Sequence, residues 1–274
     1  MIRDITLGQY FVADSFIHKL DPRAKILLLI YIIVMIFITQ NVLSLLAVTV
    51  LSILIMMASK IPLKMYLKNI KVIIPIVIFT AILNVFYTNS GILLFNIWKI
   101  QIYSVGVLRA LYMAVRVLLL ILTSSVLTYT TTPNDLTDAI ERLLKPLKYV
   151  GLGNAVHTMS MMMTIALRFI PTLIEETDKI MNAQKARGAD LESGGLIQKV
   201  KALLPILIPL LISAVRRAYE LAEAMECRCY NGGVGRTRMK QLHLTIKDYI
   251  AFVTFTVFLT VIILCNSFIG YGVL

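Results

Sequence analysis

The sequence predicts an all-α membrane protein. It has about five transmembrane helices and a cytoplasmic or interfacial domain of one short and two long amphipathic helices. Three observations carry that prediction. The chain of 274 residues is 58% hydrophobic with mean hydropathy +0.83, far above a soluble domain. Its apolar runs have the length of bilayer spans, about 20 residues. Its lysines and arginines fall almost entirely between those runs, on one side, as expected of cytoplasmic loops.

That placement also explains the net charge of +12 without a nucleic-acid partner. Asp4, Asp14 and Asp21 precede the first apolar run and no small-residue cleavage site follows it, so the N-terminus reads as uncleaved. Cys227 and Cys229 are one residue apart and Cys265 is distant, a poor basis for a structural disulfide.

Residues 25–40 and 42–59 form the first two spans, joined by a tight turn at Asn41 into a helical hairpin. Residues 72–88 form a third span. Residues 105–129 form a fourth, carrying Arg109 and Arg116. Residues 249–269 form the last. Basic residues precede span one (Arg3, Lys19, Arg23, Lys25) and separate spans two and three (Lys60, Lys64, Lys68, Lys71). Sixteen more lie between Arg142 and Lys247, whereas loop 89–104 has only Lys99. The orientation is therefore N-terminus cytoplasmic and C-terminus outside, in a cell membrane. The expected division is a membrane domain 1–129, a coupling-helix domain 130–246 and a final span 247–274. Loop 89–104 is β-branched and aromatic, which suits a short interfacial hairpin anchored by Trp98 and Tyr103.

Between spans four and five, Thr132-Pro133-Asn134-Asp135 starts a helix with a capping hydroxyl, a proline in the first turn and an acid. Leu136, Ile140, Leu143, Leu144 and Leu147 line one face of that helix, and a break is expected near Pro146. Residues 154–188 begin apolar and end charged. His157, Arg168 and Pro171 argue against simple lipid exposure. A continuous helix here would be roughly 50 Å long, and Gly188 sits like a C-cap. Residues 195–230 repeat the plan, with an apolar centre at 202–215 too short to span comfortably. Both segments crossing the bilayer is the alternative, and it leaves the C-terminus outside. Met159, Met161, Met162 and Met163 give the first long helix an adaptable base, or simply fill its packing.

No Walker A, HExxH or GxSxG motif occurs, so the common nucleotide and hydrolytic sites have no support. Cys227 and Cys229, with His243 the one later histidine, make a poor metal set. What stands out is Ala186-Arg187-Gly188 and Cys227-Arg228-Cys229, each ending a long helix. A solvated arginine near a helix C-terminus is favoured by the dipole anyway. Two at matched positions suit docking into acidic grooves of a soluble partner.

Taken with other segments, these tripeptides resemble the transmembrane T-component of energy-coupling-factor transporters. The resemblance begins with Gly8-Gln9-Tyr10 and runs from Ser15 through Leu20-Asp21-Pro22-Arg23-Ala24-Lys25. It continues through Thr132-Pro133, Arg168-Phe169-Ile170-Pro171 and Gln184-Lys185-Ala186-Arg187-Gly188. It closes with Ala224-Met225-Glu226-Cys227-Arg228-Cys229-Tyr230 and Gly235-Arg236-Thr237-Arg238. It implies a non-catalytic scaffold without cofactor, coupling two ATP-binding cassette ATPase subunits, expected as a heterodimer, to a small substrate-binding membrane subunit that imports a vitamin or metal ion. Ala186, Arg187, Gly188, Cys227, Arg228 and Cys229 would dock the ATPases, the two cysteines departing from the family's small residues. A self-contained secondary transporter is the alternative. It would show internal repeats and paired intramembrane charges, whereas no repeat is seen and Arg109 and Arg116 have no evident acidic partner.

Overall fold

A computed structural model describes residues 9–88, 92–97, 100–151, 153–189, 195–232 and 242–269. Gly8, Trp98 and the segment Gly235-Arg236-Thr237-Arg238, all used above, lie outside the described residues. The chain divides into two compact units, Gly8–Leu136 with Lys240–Leu274, and Thr137–Met239 with the N-terminal Met1–Leu7.

The first unit is a helical bundle. Helix α1 (Pro22–Ile38) starts where Asp21 caps the Arg23 amide at 2.9 Å and Pro22 fills the first turn, a position whose missing N–H would be unsatisfied anyway. Helix α2 (Val42–Ser59) follows after the turn at Asn41. Helix α3 (Leu63–Tyr87) starts nine residues before the expected span, with Pro62 at the N-cap position. Lys64, Lys68 and Lys71, expected in a loop, instead line its first turns as exposed residues. Their spacing of four and three places them on one helix face, where long basic side chains reach the interface.

Strands β1 (Leu93–Ile97) and β2 (Ile100–Tyr103) pair antiparallel, with Ile97 opposite Ile100, giving the expected hairpin. Helix α4 (Ser104–Thr130) packs against α3 along its length. Gly106 suits that contact, since a Cβ there would lie a tight 3.3 Å from the Val85 carbonyl. Helix α8 (Ile246–Ile269) completes the bundle. Apart from this hairpin the fold is all-α among the described residues.

Polar contacts fix which helix ends share a side. Lys25 is 6% exposed, and its Nζ donates to the last carbonyl of α4, Thr130 O, at 2.8 Å. The Asp21 amide donates to Asp248 Oδ1 at 2.9 Å, and Tyr66 on α3 stacks edge-on against Tyr129. The starts of α1, α3 and α8 and the end of α4 therefore lie together. At the opposite end, Asn266 Nδ2 donates to Ile38 O at 2.8 Å and Tyr112 Oη to Thr39 O at 2.9 Å. The core between them includes Leu28, Ile32, Met35, Val48, Leu119 and Ile262.

The second unit holds most of α5 (Pro133–Leu143), a 3₁₀ helix Lys145–Val150, α6 (Gly153–Ala186) and α7 (Leu196–Glu226). The expected start of α5 is present, with Thr132 Oγ1 accepting from the Asp135 amide at 3.2 Å and donating to Asp135 Oδ2 at 2.9 Å. Pro146 marks the change to 3₁₀ geometry. Pro171, Pro205 and Pro209 lie inside α6 and α7 without ending them.

Among the described residues, five helical stretches are long and apolar enough to cross a membrane: α2, α3, α4, Val200–Glu226 of α7, and Ile246–Ser267 of α8. Two differ from expectation. Helix α1 has 17 residues, about 26 Å, yet it carries no charge after Lys25 and packs inside the bundle. Helix α7 qualifies because the apolar centre 202–215 is followed, after Arg216 and Arg217, by Ala218 and Tyr219, giving a span-length stretch with only two charges. The contacts above put the end of α4 and the start of α8 on one side.

Candidate functional site

Helix α6 ends in a Schellman motif, where left-handed backbone at the position after the cap lets two amides satisfy orphan carbonyls. The Gly188 amide donates to Lys185 O at 3.0 Å and the Ala189 amide to Gln184 O at 3.0 Å. Gly188 has φ +85°. Arg187 is thereby held at the cap, its own amide shared between Ala183 O and Gln184 O.

Helix α7 ends the same way. The Cys229 amide donates to Glu226 O at 2.8 Å and the Tyr230 amide to Met225 O at 3.0 Å. Cys229 takes the left-handed position with φ +52°, which glycine adopts freely and an L-residue does not. Arg228 occupies the cap that Arg187 occupies on α6. Ala186, Arg187, Gly188, Cys227, Arg228 and Cys229 are all exposed. Among the described residues neither guanidinium makes a hydrogen bond or ion pair. A fixed backbone thus presents each charged fork outward.

The two tips are not brought together. Glu176 on α6 accepts from Ser213 Oγ and, at 2.7 Å, from Arg217 Nη2 on α7. Gln184 Nε2 donates to Pro205 O at 3.3 Å, and Tyr230 Oη donates to Met161 Sδ at 3.0 Å. As the α6 number rises the α7 number falls, so the helices run antiparallel. Counting 1.5 Å per residue from the Glu176 contact, Arg187 and Arg228 lie at opposite ends, roughly 35 Å apart along the pair. The Ser213 hydroxyl and then Arg217 hold the Glu176 carboxyl below its ordinary range. Apolar side chains stay open on both helices, with Met159 and Met162 on α6 and Leu207 and Leu211 on α7 all exposed.

The N-terminal segment Ser15–Lys25 proves to be a fastening. His18 Nδ1 meets Ser15 Oγ at 2.7 Å, and His18 Nε2 meets Phe11 O at 2.9 Å. Arg23 pairs with Asp21 at 2.9 Å and donates to Leu242 O at 2.8 Å. The Asp21-Pro22 start was a readable cap signal, as was Thr245-x-x-Asp248, whose Thr245 amide donates to the Asp248 carboxylate at 2.6 Å. Burial of Lys25 against α4 had no such signal. No group of three or more His, Cys, Asp or Glu able to hold a metal occurs among the described residues.

The helical bundle with its apolar stretches defines a multi-pass membrane protein, and the comparisons specify which kind. The family described as cobalt transport protein, CbiQ, matches residues 13–241. The energy-coupling factor transporter transmembrane protein EcfT of Clostridium kluyveri is 53% identical over 252 residues, covering 92% of this chain and 93% of that protein. EcfT of Ruminiclostridium cellulolyticum is 50% identical over 267 residues, 96% and 98% of the two chains. EcfT of Bacillus subtilis is 42% identical over 248 residues, 90% and 93%. The chain belongs to this family and is the transmembrane T-component of a prokaryotic energy-coupling-factor transporter.

Proposed function

We propose that this chain is the non-catalytic scaffold that couples ATP hydrolysis by two cytoplasmic ATP-binding cassette subunits, a heterodimer, to uptake through a separate substrate-binding membrane subunit. The cargo is a vitamin or a metal ion. The observation that carries the reading is the identical capping of α6 and α7, with one exposed arginine at each end of an antiparallel pair. Each arginine would enter an acidic groove of one ATPase through charge-assisted, bidentate hydrogen bonds. The distribution of lysine and arginine supports a cytoplasmic N-terminus, an outer C-terminus and α6 and α7 lying on the cytoplasmic side.

Closure of the ATPases would press on both tips and shift α6 against α7. The open apolar faces around Met159, Met162, Leu207 and Leu211 would move with them and alter the seat of the substrate-binding subunit. Charge reversal at a desolvated pair removes about 2–5 kcal/mol, or roughly 30-fold or more in affinity. Uptake in cells is therefore expected to fail in Arg187→Glu and in Arg228→Glu, with ATPase subunits lost from the purified double variant. Wild-type uptake in both single variants would refute the docking roles. Uptake by this chain alone in liposomes, with no ATPase present, would refute the scaffold in favour of a secondary transporter.

A further inference from the structure

The first unit contains a cavity of about 260 Å³ between α1, α2, α4 and α8. Leu28 and Ile32 of α1, Leu51 of α2, Val126 of α4 and Ala251 and Phe255 of α8 form its wall, and all are buried. The polar side chains that border it are turned to the protein. Lys25 Nζ donates to Thr130 O and, at 3.3 Å, to His18 O. Thr123 Oγ1 donates to Leu119 O at 2.8 Å, and Thr254 Oγ1 donates to Ile250 O at 2.9 Å. Thr130 Oγ1 is fully buried and presents no surface to the space. What faces the cavity is therefore hydrocarbon.

The cavity opens sideways. Leu54 and Ala58 on α2 and Ile250 and Thr254 on α8 line it yet are exposed, Leu54 to 52% and Ile250 to 55%. Both helices are long and apolar enough to cross a membrane, so the mouth between them meets bilayer hydrocarbon instead of water. Along α8 the lining runs from Ile250 to Phe258, about 12 Å at 1.5 Å per residue. One leaflet offers hydrocarbon to a depth of about 15 Å. That length suits an extended acyl chain, and an apolar cavity of about 150 Å³ is already large enough for benzene. The mouth lies toward the Lys25 end of the bundle, where Ser59 Oγ at the end of α2 meets Tyr66 Oη at 3.1 Å. Lys60 stands two residues past Ala58, and Lys247 stands one turn before Ile250 on the same face of α8. Both lysines are exposed, and among the described residues neither makes an ion pair.

We propose that this cavity is a lipid site: one acyl chain of an anionic diacyl phospholipid, drawn from the leaflet on the Lys25 side, enters between α2 and α8, and its phosphate lies at Lys60 and Lys247. The acyl chain makes the close contacts that protein atoms do not supply there. The two ammonium groups attract the headgroup at the interface. The lipid thereby ties the end of α2 to the start of α8. The site is independent of ATPase docking and of which side of the membrane is cytoplasmic.

The test uses the full-length chain in lipid nanodiscs containing phosphatidylglycerol with a diazirine in one acyl chain. Illumination followed by peptide mass spectrometry locates the adducts. Labelling of the buried wall residues Leu28 and Val126 is expected, alongside exposed Val253, which any surrounding lipid reaches. Ala251→Phe fills the cavity and should lower the adducts at Leu28 and Val126 about tenfold, with Val253 unchanged as the mark of an intact fold. A phosphatidylcholine probe with the same acyl chains should label the wall about fivefold less, and Lys60→Gln with Lys247→Gln should remove that preference. Adducts confined to exposed residues in the wild type would overturn the proposal, as would equal wall labelling in wild type and Ala251→Phe. Equal labelling by the two headgroups would overturn the choice of an anionic lipid. Wall labelling that vanishes in the purified whole transporter would overturn the site by giving the cavity to another subunit.

Discussion

The substitutions Cys229→Gly and Gly188→Ala exchange the character of the left-handed residue at two otherwise equivalent helix ends. Cys229 holds φ +52° and Gly188 φ +85°. An L-residue in that region costs roughly 1–2 kcal/mol relative to right-handed backbone, whereas glycine carries about 0.5–1 kcal/mol more unfolded-state entropy. The net change is about 0.5–1 kcal/mol in favour of the capped end for Cys229→Gly, and a similar loss for Gly188→Ala. No atom lies within 4 Å of a side chain built at Gly188, so the loss there is backbone strain without a clash. The amides of Cys229 and Tyr230, bonded to Glu226 O and Met225 O, report the effect directly. Their hydrogen-exchange protection should rise about 2–5-fold in Cys229→Gly, and that of Gly188 and Ala189 should fall about 2–5-fold in Gly188→Ala. Unchanged or weaker protection at Cys229 and Tyr230 in the glycine variant would refute the claim that the thiol residue strains this cap.

Lys25→Met leaves the Thr130 carbonyl buried without its donor, and should lower stability by about 1–2 kcal/mol, or on the order of 2–8 °C in the unfolding midpoint. A midpoint equal to wild type would show that the lysine is dispensable to the bundle. Burial holds the His18 imidazole below its ordinary value of 6.5, against the opposing pull of Phe11 O. The folded state therefore favours the neutral ring, and its contribution is full above pH 6.5 and lost as pH falls through the lowered value. The exchange protection factor of the Phe11 amide, which donates to Tyr129 O at 2.9 Å, should fall below pH 6.5 in wild type, after correction for the intrinsic rate, and lose that dependence in His18→Gln. An equal acid response in both proteins would locate the sensitive group elsewhere.

The arginine tips were legible because a helix-ending glycine leaves a local mark, and Cys227-Arg228-Cys229 could be aligned with it by position alone. The start of α5 was legible for the same reason, since Thr132, Pro133 and Asp135 act within one turn. The early start of α3 was concealed by Lys64, Lys68 and Lys71, whose charge suggests a loop until their single helical face is seen. The antiparallel register of α6 and α7 was not readable. It rests on Glu176 choosing Ser213 and Arg217, 37 and 41 residues away, from among many polar groups on both stems. Nor could the sequence show that Arg116 would settle on the Thr39 carbonyl instead of a carboxylate, because any orphan carbonyl at a helix end can accept a guanidinium.

Two antiparallel helices that finish in the same cap are related by a local twofold axis through their mid-length contact, although they belong to one chain and share little sequence. On the proposed reading, a single copy of this protein would face a pair of soluble subunits whose own arrangement is twofold, offering each the same grip. At the caps the pseudo-symmetry is broken on both sides of the arginine: Cys227 stands where α6 has Ala186, and the left-handed position is bare in α6 and carries a thiol in α7. Two unlike subunits meeting this chain would find there the means to tell one seat from the other.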